Sequence, residues 1–207
     1  MLKLSENPPV LFPEAESLED IAGAGGRWWV GHTKARCEKA FAWDLHKYGV
    51  PYFLPMIQRV MFSGGRKRGA MMPLFSSYVF FCGGEEARYR ALVTNRLCQV
   101  ISVPDQKKLV VELRNIDVAL RGKATLDPYP FATVGRRCRV KSGPFLGIEG
   151  RVVERNSITS LVLEVSLLGQ AVALQIDTDV LEGVNEAEEI DLPATKNGRA
   201  GRHSARY

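Results

Sequence analysis

The sequence is poor in the residues that build catalytic and metal centres. Its 207 residues hold four cysteines, Cys37, Cys82, Cys98 and Cys138, and no two have C-x-x-C spacing. Such separations fit neither a zinc site nor a dense disulfide framework, and buried thiols are the expected state. The three histidines, His32, His46 and His203, fall in an expected strand, helix and tail, without the spacing of a triad or metal site. Neither G-x-S-x-G nor G-x-x-x-x-G-K-[ST] occurs. These absences argue against an enzyme, and no cofactor or metal is expected. No apolar run approaches the ~18–20 residues of a membrane span. The first 20 residues are acidic and hold three prolines, unlike a signal peptide. A cytoplasmic monomer with no membrane partner is expected.

Acid is also missing from one long stretch, since no Asp or Glu occurs between Asp44 and Glu85. The net charge of +5 is unevenly spread. Residues 1–26 carry one Lys against five acids, and residues 27–115 carry 15 basic against 6 acidic side chains. Residues 116–184 balance at 8 and 8, and residues 185–207 at 4 and 4. The whole positive excess therefore lies in one segment, which suggests a polyanion near that segment.

Periodicity divides the chain. Residues 1–26, rich in Pro, Gly and acid, read as a disordered acidic leader. Trp28-Trp29-Val30-Gly31-His32 reads as a strand. Thr33 is placed to cap a helix carrying Phe41, Leu45 and Tyr48 on one face, ended by Gly49. Extended patterns follow over 52–62 and 74–82, around a turn at 63–69 with a charged tip. A helix at 85–93, a strand at 97–103 and a helix at 108–120 complete this region. The order implies an α+β fold over 27–120, with helices covering one face of a mostly antiparallel sheet. Asp127-Pro128-Tyr129-Pro130 breaks the pattern, so 121–132 reads as a linker. Short strands between turn residues over 133–184 imply a small all-β barrel of the SH3-like kind. Residues 185–207 read as a disordered tail.

Three constellations stand out. The first is aromatic: Phe75, Tyr78 and Phe80 lie on and beside a strand, and such side chains are common interface anchors. Alternation places Tyr78 and Phe80 on one face. Packing under the sheet's own helices competes with an exposed role, most strongly for Phe80. The second is basic: Arg59, Arg66, Lys67 and Arg68 are uncompensated by acid, and Lys34 and Arg36 open the first helix beside them. Arg88, Arg90 and Arg96 are more distant additions. A solvated hairpin competes with phosphate contact here. The third lies in the small barrel. Gly143, Gly147 and Gly150 serve folding by allowing tight turns and close strand approach. Leu167, Leu168 and Gln170 stand at a hairpin end, where apolar residues can meet a partner.

Two regions carry a family resemblance. The first holds Trp28-Trp29-Val30, Thr33-Lys34 and Glu38, then Pro55-Met56-Ile57, Gly65-Arg66-Lys67-Arg68 and Pro73-Leu74-Phe75-Ser76-Ser77-Tyr78-Val79-Phe80. The second holds Val134-Gly135, Arg139-Val140 and Gly143-Pro144-Phe145-x-Gly147-x-x-Gly150, which looks like a KOW motif, then Val165-Ser166-Leu167-Leu168-Gly169. In this order they resemble the NusG family of transcription elongation factors over about 27–184. The resemblance implies a factor that suppresses pausing or termination, with Phe75, Tyr78 and Phe80 docking on the clamp helices of the largest RNA polymerase subunit. It implies that Arg59, Arg66, Lys67 and Arg68, with Lys34 and Arg36, meet non-template DNA or a polymerase loop. It implies that the KOW tip docks a small-subunit ribosomal protein or Rho. Leu168 stands where an aromatic is common and Gln170 where a basic residue is common, which tilts the resemblance toward a specialised RfaH-type paralogue. The competing class is a ribosome-associated KOW protein that binds RNA, and co-purification with polymerase or with ribosomal subunits separates the two.

Overall fold

The computed structural model describes residues 6–15, 18, 21, 26–63, 66–131, 134–155 and 157–184, without the side chains of 61–63 and 66–68. The fold is α+β. The first sheet has five antiparallel strands in the order β1-β3-β6-β2-β7. These are β1 (Leu11–Phe12), β2 (Arg27–Thr33), β3 (Tyr52–Phe53), β6 (Tyr78–Gly83) and β7 (Leu97–Ser102).

Both faces of this sheet are covered, because both faces of its central strands are apolar. Trp28, Val30, Phe80 and Cys82 point to one face, and Trp29, Val79 and Phe81 to the other. Helices α1 (Glu38–Lys47) and α2 (Glu85–Val93) cover the second face through Phe41, Ala42, Leu45 and Ala91. Gly31 lets α1 approach closely, since a Cβ there would lie 2.9 Å from the Phe41 ring. Helix α3 (Gln106–Arg121) covers the first face with Leu109, Leu113 and Ile116. The expectation of helices on one face is thus corrected. The adjacent tryptophans of β2 are the physical reason, since successive strand residues point to opposite sides.

The expected leader is also corrected where it is described. Val10 accepts a hydrogen bond from the Leu54 amide at 2.7 Å, and β1 pairs with β3. Leu11, Leu18 and Ile21 are buried, and Phe12 lies between His46 and Tyr52. Arg121 Nη2 donates to the Ala15 carbonyl at 2.9 Å, fastening this strap to α3. The start of the first helix differs as well. Helix α1 follows Cys37, which makes no side-chain cap, and Thr33 ends β2 with a buried hydroxyl that has no partner.

A separate two-stranded hairpin joins β4 (Met56–Ser63) to β5 (Arg66–Pro73). Arg66, Lys67 and Arg68 therefore belong to a strand rather than to a turn. They pair with Ser63, Phe62 and Met61 in register. Likewise the expected strand over 74–82 begins only at Tyr78.

The second sheet is antiparallel with six strands, in the order β13-β9-β10-β11-β12-β8. These are β8 (Asp127–Tyr129), β9 (Arg136–Val140), β10 (Glu149–Arg155), β11 (Ile158–Val165), β12 (Gln170–Gln175) and β13 (Leu181–Gly183). Strand β8 falls inside the expected linker. Pro128 is tolerated there because β8 is an edge strand and needs fewer donors. One face carries Val140, Leu161, Leu163, Val165, Val172 and Leu174, which join α3 and the first sheet in one continuous apolar core. Helix α3 packs against β11 and so serves both sheets. Polar contacts fix the junction. Asn115 Nδ2 donates to the Glu149 carbonyl at 3.1 Å, and Asn115 Oδ1 accepts from the Glu149 amide at 3.4 Å.

Candidate interaction surface

Sequence alternation offers Tyr78 and Phe80 to the same face, but the fold treats them differently. Phe80 pairs with Val30 and Phe53 in the middle of the sheet and is fully buried. Phe75 tucks beneath it, edge-on at 6.2 Å, and is buried too. Phe75 is thus corrected from a surface anchor to a core residue, and for Phe80 the competing expectation of packing within the fold is the one observed; each contributes about 1.5–3 kcal/mol by burial. Tyr78 stands at the strand's end and is half-buried. Its ring stacks on His32 at 5.1 Å, with 21° between the planes.

Tyr78 is presented by a fixed turn. Ser77 has φ of +68°, an uncommon conformation for a residue with a Cβ. Its amide donates to Glu38 Oε1 at 2.6 Å, and its carbonyl accepts from the Thr33 amide at 2.8 Å. Glu38 is only 7% exposed, although it carries a charge. Buried charge is costly unless hydrogen-bonded, so this contact is a strong constraint.

The basic residues do not all share one environment. Arg36 and Arg59 are exposed. Lys34 is exposed and donates to the Asn95 carbonyl at 2.7 Å. The side chains of Arg66, Lys67 and Arg68 lie outside the described residues. Arg88 is paired with Glu85 and stands over the Trp29 ring. Arg90 is paired with Glu86, and Arg96 with Asp44 at 3.0 Å. Those three arginines are thus committed within the fold. The first turn of α1 joins the remaining groups, since Lys39 Nζ donates to the Met71 carbonyl in β5 at 2.5 Å. Burial lowers the Lys39 pKa, while Glu38 beside it acts in the opposite direction.

In the second sheet, Gly143 and Gly147 take positive φ of 86° and 83°. Gly150 permits close strand approach, because a Cβ there would lie 2.5 Å from the Val162 carbonyl oxygen. The β11–β12 tip is a 3-10 turn over Ser166–Leu168, closed by Gly169 at φ of +59°. Leu167, Leu168 and Gln170 are half-buried, and both leucines pack against the shared core. Ser166 holds the tip to α3. Its hydroxyl donates to Glu112 Oε1 at 2.6 Å and its amide to Glu112 Oε2 at 3.2 Å. Burial raises the Glu112 pKa, and these two hydrogen bonds oppose the rise. Beside this contact lies a cleft of about 550 Å³, lined by both signs of charge, including Lys108, Arg137, Glu149 and Glu164.

His32, Lys39, Glu112 and Asn115 were not singled out as site residues from sequence, and Glu38 entered only as part of a motif. A signal existed for Glu38. It shares its helical face with Phe41, Ala42 and Leu45, so an acid there needs an internal partner. Among the described residues no group of three or more His, Cys, Asp or Glu is placed to hold a metal ion. No helix among them is long and apolar enough to cross a membrane.

Residues 26–118 match the family model described as "Transcription termination factor nusG". No curated protein matches the chain. Among solved structures, the chain is similar to "Domain interaction in Thermotoga maritima NusG", at 18% identity and a TM-score of 0.46, covering 78% of this chain and 99% of that one. It is also similar to "Crystal Structure of MjSpt4:Spt5 complex conformation B", at 15% identity and a TM-score of 0.24, covering 77% of this chain and 97% of that one.

Proposed function

Because the chain belongs to the NusG family through its domain at residues 26–118, we propose that it is a transcription elongation factor that binds RNA polymerase and restrains pausing or termination. It works without catalysis, by favouring one polymerase conformation over another, and its effect is bounded by its differential affinity for the two. The observation that carries this reading is the display of Tyr78. A half-exposed aromatic sits on a turn fixed by a buried glutamate, next to the root of a basic hairpin. Such a rigid aromatic loses little conformational entropy on docking. Tyr78 is the contact for the clamp helices of the largest polymerase subunit, and Phe75 and Phe80 support it from below. Arg36, Arg59 and the hairpin face non-template DNA or a polymerase loop, as positioning contacts without sequence readout.

The second sheet, read as a KOW domain over 133–184, recruits another protein through Leu167, Leu168 and Gln170. Its tip is held to α3 by Ser166 and Glu112, so recruitment requires that contact to open. Transcription in vitro with purified core polymerase, on a template with a defined pause and with and without Rho, tests the reading. A shortened pause in the presence of the chain supports it. Unchanged pause lifetimes and termination would refute it.

A further inference from the structure

Glu38 and Lys39 are neighbours in the first turn of α1, and they hold two points of one short connection. Lys39 binds the carbonyl of Met71, in β5, and Glu38 binds the amide of Ser77, one residue before Tyr78. Consecutive helical side chains point about 100° apart. One therefore reaches beneath the end of the five-stranded sheet, and the other reaches sideways to the hairpin. The hairpin needs such a hold, because β4 and β5 form a sheet of their own. At its root the Leu74 amide donates to the Pro55 carbonyl at 2.8 Å, which closes the two strands into a unit. Met56 and Met71 pack on the α1 side of the main sheet.

We infer that the first turn of α1 is a positioning clamp, in which Glu38 and Lys39 together set the angle between the basic hairpin and the Tyr78 surface. The two charges have opposite sign and are adjacent, so neither is left uncompensated as each binds a backbone group. Loss of Lys39 frees the hairpin while leaving Tyr78 in place. Loss of Glu38 frees the Ser77 turn and with it Tyr78. The consequence for transcription rests on the proposed polymerase reading; the geometric claim does not.

The geometric claim is tested on the free full-length chain. Spin labels are placed on Cys98, which is exposed on β7, and on a Val60→Cys variant in β4, with Cys37→Ser removing the other accessible thiol. A narrow distance distribution is expected. Lys39→Met should raise the population of displaced distances about tenfold, the equivalent of one hydrogen bond to a charged group, and Lys39→Arg should restore the narrow distribution. Identical distributions for Lys39→Met and the parent would overturn the clamp. Should Lys39→Met fail to fold, hydrogen exchange at the Ser77 amide in the unmodified chain decides instead: protection like that of β6 supports the clamp, and loop-like exchange overturns it. In transcription assays Lys39→Met should keep polymerase affinity within about twofold and weaken pause suppression. Equal loss of both would reduce Lys39 to a general structural role.

Discussion

Two turns in this molecule are built on the same device. In each, a glutamate from a helix accepts a hydrogen bond from the amide of a serine that sits beside a residue proposed for contact. Glu38 holds Ser77 next to Tyr78, and Glu112 holds Ser166 next to Leu167. The surroundings differ. Glu38 lies in the first turn of α1, where the helix dipole favours a carboxylate, and the turn it holds faces outward. Glu112 lies inside α3, where burial raises its pKa, and the turn it holds faces inward onto α3. The first device keeps a surface displayed, and the second keeps one covered. One arrangement serves opposite ends because the helix stands beneath the turn in one case and over it in the other.

The largest expected effect separates display from support. Phe80→Ala should cost about 3–5 kcal/mol in chemical denaturation, as for other large aromatics removed from a core. Tyr78→Ala should cost only the ~0.5–1.5 kcal/mol of its stacking on His32. Next, Glu38→Ala should cost about 1–3 kcal/mol, since it leaves the Ser77 amide without its acceptor. Glu112→Ala should cost less, about 0.5–1.5 kcal/mol, and should make the second sheet's amides near Ser166 exchange faster. If the two glutamate variants behaved alike, the distinction between the turns would fail.

The pH dependence is a finer test. A carboxyl whose pKa is raised in the fold favours the folded, docked form when protonated. Its contribution is full below the ordinary carboxylate value and is lost as pH rises through the raised one. Glu112 has this sign, and so does Asp117, which burial raises while Arg121 opposes the rise. As pH falls through the raised values toward the ordinary carboxylate range, the fold around α3 should therefore gain stability. Glu112→Gln should flatten that dependence relative to the parent chain, measured by amide exchange or thermal midpoint across the range. The smallest effect is expected from Arg36→Ala. Its stability should stay within about 0.5 kcal/mol, and the salt slope of DNA association should fall by about 1 if a phosphate contact is lost.

Much of the first sheet was legible because its signals are local. Phe41 and Leu45 at helical spacing marked α1, and the apolar run of β6 marked a central strand. What was missed depends on distant partners. Strand β1 is two residues long and exists because β3 offers an edge. Strand β8 contains a proline and exists because β12 offers another. The covering of both sheet faces was written in Trp28-Trp29, since two adjacent bulky residues in a strand need two apolar environments. The burial of Phe80 could have followed from the same logic, as its neighbours Val79 and Phe81 already fill the opposite face. The clamp and the covered tip were harder to see. Lys39, Glu112 and Asn115 bind backbone groups from 32 to 54 residues away, and a backbone partner leaves no mark in the sequence.

The most direct measurement is the affinity of the Tyr78→Ala chain for core RNA polymerase beside that of the parent. The account predicts a loss of about tenfold or more, as expected for a central aromatic contact, with the thermal midpoint lowered by only a few degrees. Equal affinity of a folded Tyr78→Ala chain would contradict it.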